Sequence, residues 1–295
     1  METCRKYTYQ IYADVTSDLS AELLEGLPPL EIISMPLKID GDEYQYGPDG
    51  NITVNEFYQM QRTGKFASTS QINPVMFAEQ FEVSLKKGLD VIYLAFSSGM
   101  SGTYQSAQLS MQALREKYPD RKVLCVDTLC GSVGEALLIH EALKKQQEGK
   151  SIQELYQWVL DHRMKVCHWF TVDTFDHLKH GGRVSAVSAA VGTVLQIKPL
   201  LRIDENGMLK VVEKPRGRKK AISCKMTYME RGWQPEISRS VVVGHGDCPE
   251  EAEKLVNAIR AEFPEADIYT SDIGPIIGAH TGPGMLALIY MGNNR

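Results

Sequence analysis

The hydrophobic residues of this 295-residue chain fall in two periods. Residues 9–15 (YQIYADV), 89–96 (LDVIYLAF) and 122–126 (KVLCV) are short, nearly continuous apolar runs. Runs of this length match strands covered on both faces, as in a parallel sheet. Small or hydroxyl residues follow each one: Thr16 and Ser17, then Ser97, Ser98 and Gly99, then Asp127 and Thr128. Between the runs the period changes to that of a helix. Ala107, Met111, Leu114 and Tyr118 form one stripe; Ile152, Leu155 and Val159 form another behind the capping-box pair Ser151 and Glu154. Strands alternating with helices predict an α/β fold with a parallel sheet.

The second half reads differently. Residues 166–172 and 200–203 are strand-like, and the turn residues 204–207 (DENG) lead into 208–212, which predicts a β-hairpin. Another strand starts at Val241. Residues 247–263 predict a helix: Pro249 lies near its start, Glu250 and Glu251 sit in its first turn, and Ala252, Leu255, Val256, Ile259 and Phe263 share a face. The expected organisation is a parallel-sheet N-terminal α/β domain over residues 1–163 and a mixed or antiparallel α+β C-terminal domain over 164–295. No internal repeat or low-complexity segment interrupts it.

Composition narrows the classes. Hydrophobic residues make up 43% and charged residues 23%, ordinary for a globular chain able to bury a core without staples. Thirty-two Lys and Arg against 37 Asp and Glu give a net charge of −5, which argues against a general nucleic-acid or membrane-surface binder. Positive charge nevertheless concentrates in the second half, at Lys179, Arg183, Lys198, Arg202, Arg216, Arg218, Lys219 and Lys220. Such runs are usually solvated faces; the alternative is a surface for an acidic partner. The six cysteines (Cys4, Cys125, Cys130, Cys167, Cys224 and Cys248) show no CxxC spacing, so no zinc ribbon or metal site is expected. With no leader pattern and no apolar stretch of ~18 residues, reduced thiols and a cytoplasmic location are expected.

Candidate chemistry gathers where strands end, the usual ligand edge of an open parallel sheet. Residues 97–103 (SSGMSGT) combine four hydroxyls with two glycines, and the bland reading is a capped tight turn. Residues 67–71 (ASTSQ) form a second hydroxyl cluster, read as a loop before a helix starting at Pro74, and 14–18 (DVTSD) a third. His280 sits alone among glycines, prolines and apolar residues in 273–284 (IGPIIGAHTGPG). A lone histidine there is more often a satisfied core residue than a ligand group. No phosphate loop, HExxH motif or nucleophile elbow is present.

Taken in order, residues 14–19 (DVTSDL), 68–71 (STSQ), 96–107 (FSSGMSGTYQSA), 127–128 (DT), 180–183 (HGGR), 197–200 (IKPL) and 279–284 (AHTGPG) resemble the DegV family, the fatty-acid-binding subunits of bacterial fatty acid kinase. The resemblance spans residues 9 to 291. It implies a two-domain α/β fold holding one long-chain fatty acid between the domains, with no other cofactor. Carried across by motif, Thr69 and Ser98, with Ser97 beside them, and His280 would hold the carboxylate. Arg183, with Arg202 on the same basic surface, would face a partner kinase that carries the catalysis. Transient membrane contact and no nucleic acid would follow. Val15, Thr16 and Met100 depart from the usual family residues without touching those donors. The alternative is an enzyme on the same fold, a small-molecule phosphotransferase or a Ser/His hydrolase built on Ser98 and His280.

Overall fold

The computed structural model describes residues 7–183, 197–293 and 295; Cys4 lies outside them. The first part of the chain runs β1 (Tyr9–Asp14), α1 (Ala21–Leu24), β2 (Leu30–Ile33), β3 (Met35–Ile39), β4 (Asp42–Tyr46), α2 (Val54–Arg62), β5 (Ala67–Thr69), α3 (Pro74–Lys86), β6 (Asp90–Ala95), α4 (Thr103–Lys117), β7 (Val123–Asp127), α5 (Val133–Gln147) and α6 (Ile152–His162). A 3-10 turn over Arg163–Lys165 then leads to β8 (Val166–Thr171), α7 (Asp176–His180), β9 (Leu200–Ile203), β10 (Leu209–Glu213), α8 (Arg218–Gly232), β11 (Ser240–His245), α9 (Pro249–Glu262), β12 (Asp267–Asp272), α10 (Pro275–Thr281) and β13 (Leu286–Met291).

The three continuous apolar runs are the parallel strands β1, β6 and β7, joined by β2 in the order β2-β1-β6-β7. The second large sheet is mixed, β10-β9-β8-β13-β11-β12, antiparallel except for β11 beside β12. Its central strands β8 and β13 are buried at every position, because helices cover both faces. The expected hairpin is β9 and β10, and the capping box of α6 forms between Ser151 and Glu154. A small antiparallel sheet, β4-β3-β5, was not legible in the sequence. Its strands are short, and only four of their thirteen residues are buried. The 67–71 cluster is thus partly strand, and the cap of α3 is Asn73 rather than one of its hydroxyls.

The layers run α3 and α4, parallel sheet, α5, mixed sheet, α8 and α9. Side chains of the parallel strands alternate accordingly: Tyr12, Val91 and Tyr93 face α3 and α4, while Ile11, Ile92 and Leu94 face α5. The α5 core also takes in Val166, Phe170, Ala287 and Ile289 of the mixed sheet, so the largest apolar cluster runs across residue 163. Helix α5 is apolar nearly all round because it lies between two sheets, the condition under which an amphipathic stripe disappears.

Candidate functional site

A cavity of about 330 Å³ opens between the two large sheets. Phe170, Ala287 and Ile289 of the mixed sheet form its floor, facing Val133 at the start of α5. Its volume and apolar walls are those of a small-molecule site. Met35, Met100 and Met285 reach it. Phe77 packs in the α3–α4 core, and Met76 packs against that core.

One end of the cavity is polar. Thr69, Ser70 and Gln71 bring the end of β5 to it, Ser101 the loop after β6, Arg183 the turn after α7, and His280 the last turn of α10. Gly282, at φ +71°, ends that helix: a Cβ there would lie 2.3 Å from the His177 ring, so only glycine fits. His280 Nε2 lies 2.8 Å from Thr69 Oγ1, across 211 residues of sequence. Among the described residues its buried Nδ1 has no hydrogen-bond partner, and it lies against the backbone of Gly181. Burial, with the Arg183 and His180 charges nearby, pulls its pKa down to about 4, so the ring is neutral at pH 7.

A neutral imidazole carries a single N–H. Placed on Nε2, it donates to Thr69 Oγ1 and leaves Nδ1 a bare acceptor, a smaller cost than a buried orphan N–H. Thr69 then keeps its own proton for a ligand. Arg183 is exposed and donates from Nε to the Met100 carbonyl at 3.3 Å and from Nη1 to that of Gly181. A neutral histidine backing a hydroxyl, with a guanidinium beside it, suits one carboxylate.

The other expected donors are placed elsewhere. Ser97 is fully buried and donates to the Gly207 carbonyl at 2.7 Å, docking the β9–β10 hairpin onto the loop after β6. Ser98 donates to Asp127 Oδ2 at 2.5 Å. Neither lines the cavity, and each has spent its single proton. The hydroxyl beside His280 is that of Thr69, so the structure forms no Ser98–His280 pair of the kind a hydrolase needs. The basic surface is also smaller than expected. Lys198 pairs with Asp173 at 2.8 Å, and Arg202, whose side chain is 17% exposed, lies 3.7 Å from Glu205. Deeper in, Thr16, Ser132 and His168 line the cavity. Thr16 donates to Asp14, Ser132 donates to Asp18 at 2.6 Å, and His168 is held neutral by burial. Thr16 belongs to a motif the sequence singled out; His168 sits inside an apolar strand and carried no signal.

A model described as an uncharacterised protein family, DegV, matches residues 8–293. The chain belongs to the DegV family. A DegV domain-containing protein of Clostridium perfringens is 39% identical over 287 residues, 97% of this chain and 98% of its own. Among solved structures, a DegV family protein from Thermus thermophilus, described for its fatty acid binding, superposes with a TM-score of 0.82 at 27% identity, covering 96% of this chain and 99% of that one. The fatty acid kinase B3 protein of Streptococcus pneumoniae, loaded with linoleic acid, shares the fold with a TM-score of 0.84 at 20% identity, covering 97% and 100%. Among the described residues of this DegV protein no helix is long and apolar enough to cross a membrane. No group of three or more His, Cys, Asp or Glu among them stands ready for a metal ion.

Proposed function

We propose that this DegV protein carries one long-chain fatty acid in the cavity between its sheets and presents the carboxylate to a partner kinase. The observation that carries the reading is the polar end of an otherwise apolar cavity, where Thr69, neutral His280 and Arg183 converge. Burying ~14 methylenes contributes on the order of 11 kcal/mol gross at ~0.8 kcal/mol each, ample for retention after the costs of association. The carboxylate goes to Thr69 and Arg183, with His280 behind Thr69. Exposed Arg183 also gives this end a face toward a partner; Arg202, closed off by Glu205, contributes less. In this reading residues 1–163 and 164–295 are the two walls of one site, acting in the cytoplasm.

The kinase would transfer a nucleotide's terminal phosphoryl group to a carboxylate oxygen, giving acyl phosphate and nucleoside diphosphate. With its proton on Nε2, His280 turns no free base toward the Thr69 hydroxyl, which favours placing that step on the partner. Mass spectrometry of lipid extracted from the purified chain tests the carrier role. About one fatty acid per chain is expected. An empty protein that, after delipidation, takes up no acyl chain would overturn it. Turnover of an ester or phosphoryl donor by the chain alone would return the enzyme reading.

A further inference from the structure

The motif at residues 14–18 takes no direct part in holding a carboxylate, yet its two aspartates are almost wholly buried. Asp14 ends β1 and shapes the turn after it. Its carboxyl accepts the Thr16 N–H at 2.8 Å and the hydroxyls of Thr16 and Tyr93, and its carbonyl accepts the Ser17 hydroxyl at 2.7 Å. The turn leaves Asp18 at φ +50° with its side chain directed inward.

Asp18 then joins segments far apart in sequence. Its Oδ2 accepts the Ser132 hydroxyl at 2.6 Å, in the cavity wall. Its Oδ1 accepts the Gly274 N–H at 2.8 Å, and its carbonyl accepts the Ser271 hydroxyl. Gly274 immediately precedes α10, the helix that delivers His280 to Thr69. A Cβ at position 274 would lie 2.8 Å from Asp18 Oδ1 and 2.7 Å from the Tyr46 ring, so the close approach depends on glycine. Tyr58 and Gln61 of α2 brace the same helix from its flank, through the carbonyls of Ile273 and Gly278. The Asp18 carboxyl is the bond that ties its base to the cavity wall.

We infer that Asp18 is a positioning residue for the His280–Thr69 pair, holding the root of α10 so that Nε2 meets the Thr69 hydroxyl. A helix of seven residues is about 10 Å long and stiff, so a shift at its base reaches His280. The inference rests on the reading that a carboxylate sits at this pair. Burial pushes the Asp18 carboxyl up to about 8, against the pull of Ser132 and Gly274. Oδ1 accepts from Gly274 in either protonation state, so charge is not the requirement. An asparagine keeps that acceptor, and its amide can donate to the Ser132 oxygen.

The test uses the full delipidated chain, a fluorescent C18 acid for affinity and the 15N resonances of the His280 ring. Asp18→Ala is expected to weaken binding about tenfold and shift the ring resonances, while Asp18→Asn stays within about twofold of the parent. In a His280→Gln background, Asp18→Ala should cost nothing further, because the bond it serves is already gone. An undiminished loss in that background, or an unmoved His280 signal, overturns the inference. Should Asp18→Ala fail to fold, Ser271→Ala loosens the same turn and must show the same non-additivity on a smaller scale. If the parent chain binds no acyl chain, the carrier reading falls; the His280 resonances of Asp18→Ala still decide the positioning role.

Discussion

Gly181 offers a perturbation whose effect on the site separates from its effect on the fold. It follows α7 with φ −75° and ψ −5°, a conformation any residue adopts without strain. Alanine there would reduce the freedom of the unfolded chain and by itself favour folding by about 0.4–1 kcal/mol. The added Cβ, however, lands 2.1 Å from His280 Nδ1, where ordinary contacts begin at 3.4 Å. The ring must retreat by about 1.3 Å, the difference of those two distances. A straight retreat would drive Nε2 into Thr69 Oγ1, already 2.8 Å away on the other side of the ring, so the ring must turn aside and give up that bond. Losing a neutral hydrogen bond costs about 0.5–1.5 kcal/mol, a factor of about 2–12 in affinity. Gly181→Ala should therefore weaken displacement-measured binding of a C18 acid by that factor, while the thermal midpoint of the lipid-free protein changes little. Unchanged affinity would refute the assignment of His280 to the site. A large drop in the lipid-free midpoint would show that the ring is a packing element instead.

Three further outcomes follow from the geometry. His280 is held neutral in the fold with a pKa near 4 against an ordinary 6.5, so the unfolded chain binds its proton first as pH falls; lipid-free stability should decline between pH 6.5 and 4, and His280→Gln should flatten that part of the curve in chemical denaturation. Ala287 lies in the cavity floor, and Ala287→Phe should shift the extracted lipid toward shorter chains, read by mass spectrometry; an unchanged chain-length profile would place the acyl tail elsewhere. Ser98→Ala should leave acyl affinity within about twofold, since its proton goes to Asp127, whereas a tenfold loss would restore it as a carboxylate donor.

Much of this architecture is legible in the order of residues because it is set by local period and burial. The strands 9–14, 90–95 and 123–127 announce themselves as continuous apolar runs, and α9 by its stripe. The motifs at 68–71, 180–183 and 279–284 named the segments that meet at the polar end. They could not say which hydroxyl within a segment would be free. Ser97, Ser98 and Thr69 are chemically equivalent on paper. Whether a Gly207 carbonyl or an Asp127 carboxylate claims the proton is decided by contacts across 110 and 29 residues. His168 was hidden for the converse reason: a histidine in a strand buried on both faces breaks no pattern of period.

By itself, then, the sequence determined the core strands of the parallel sheet, the helices with a clear apolar stripe and the family to which the chain belongs, because backbone period and motif order are carried by neighbouring residues. Only the tertiary structure decided that α5 lies between two sheets, that a cavity opens beside it, and that Thr69 rather than Ser98 meets His280. Those outcomes depend on which donors and acceptors satisfy one another once water is excluded, and that competition exists only among groups the fold has brought together.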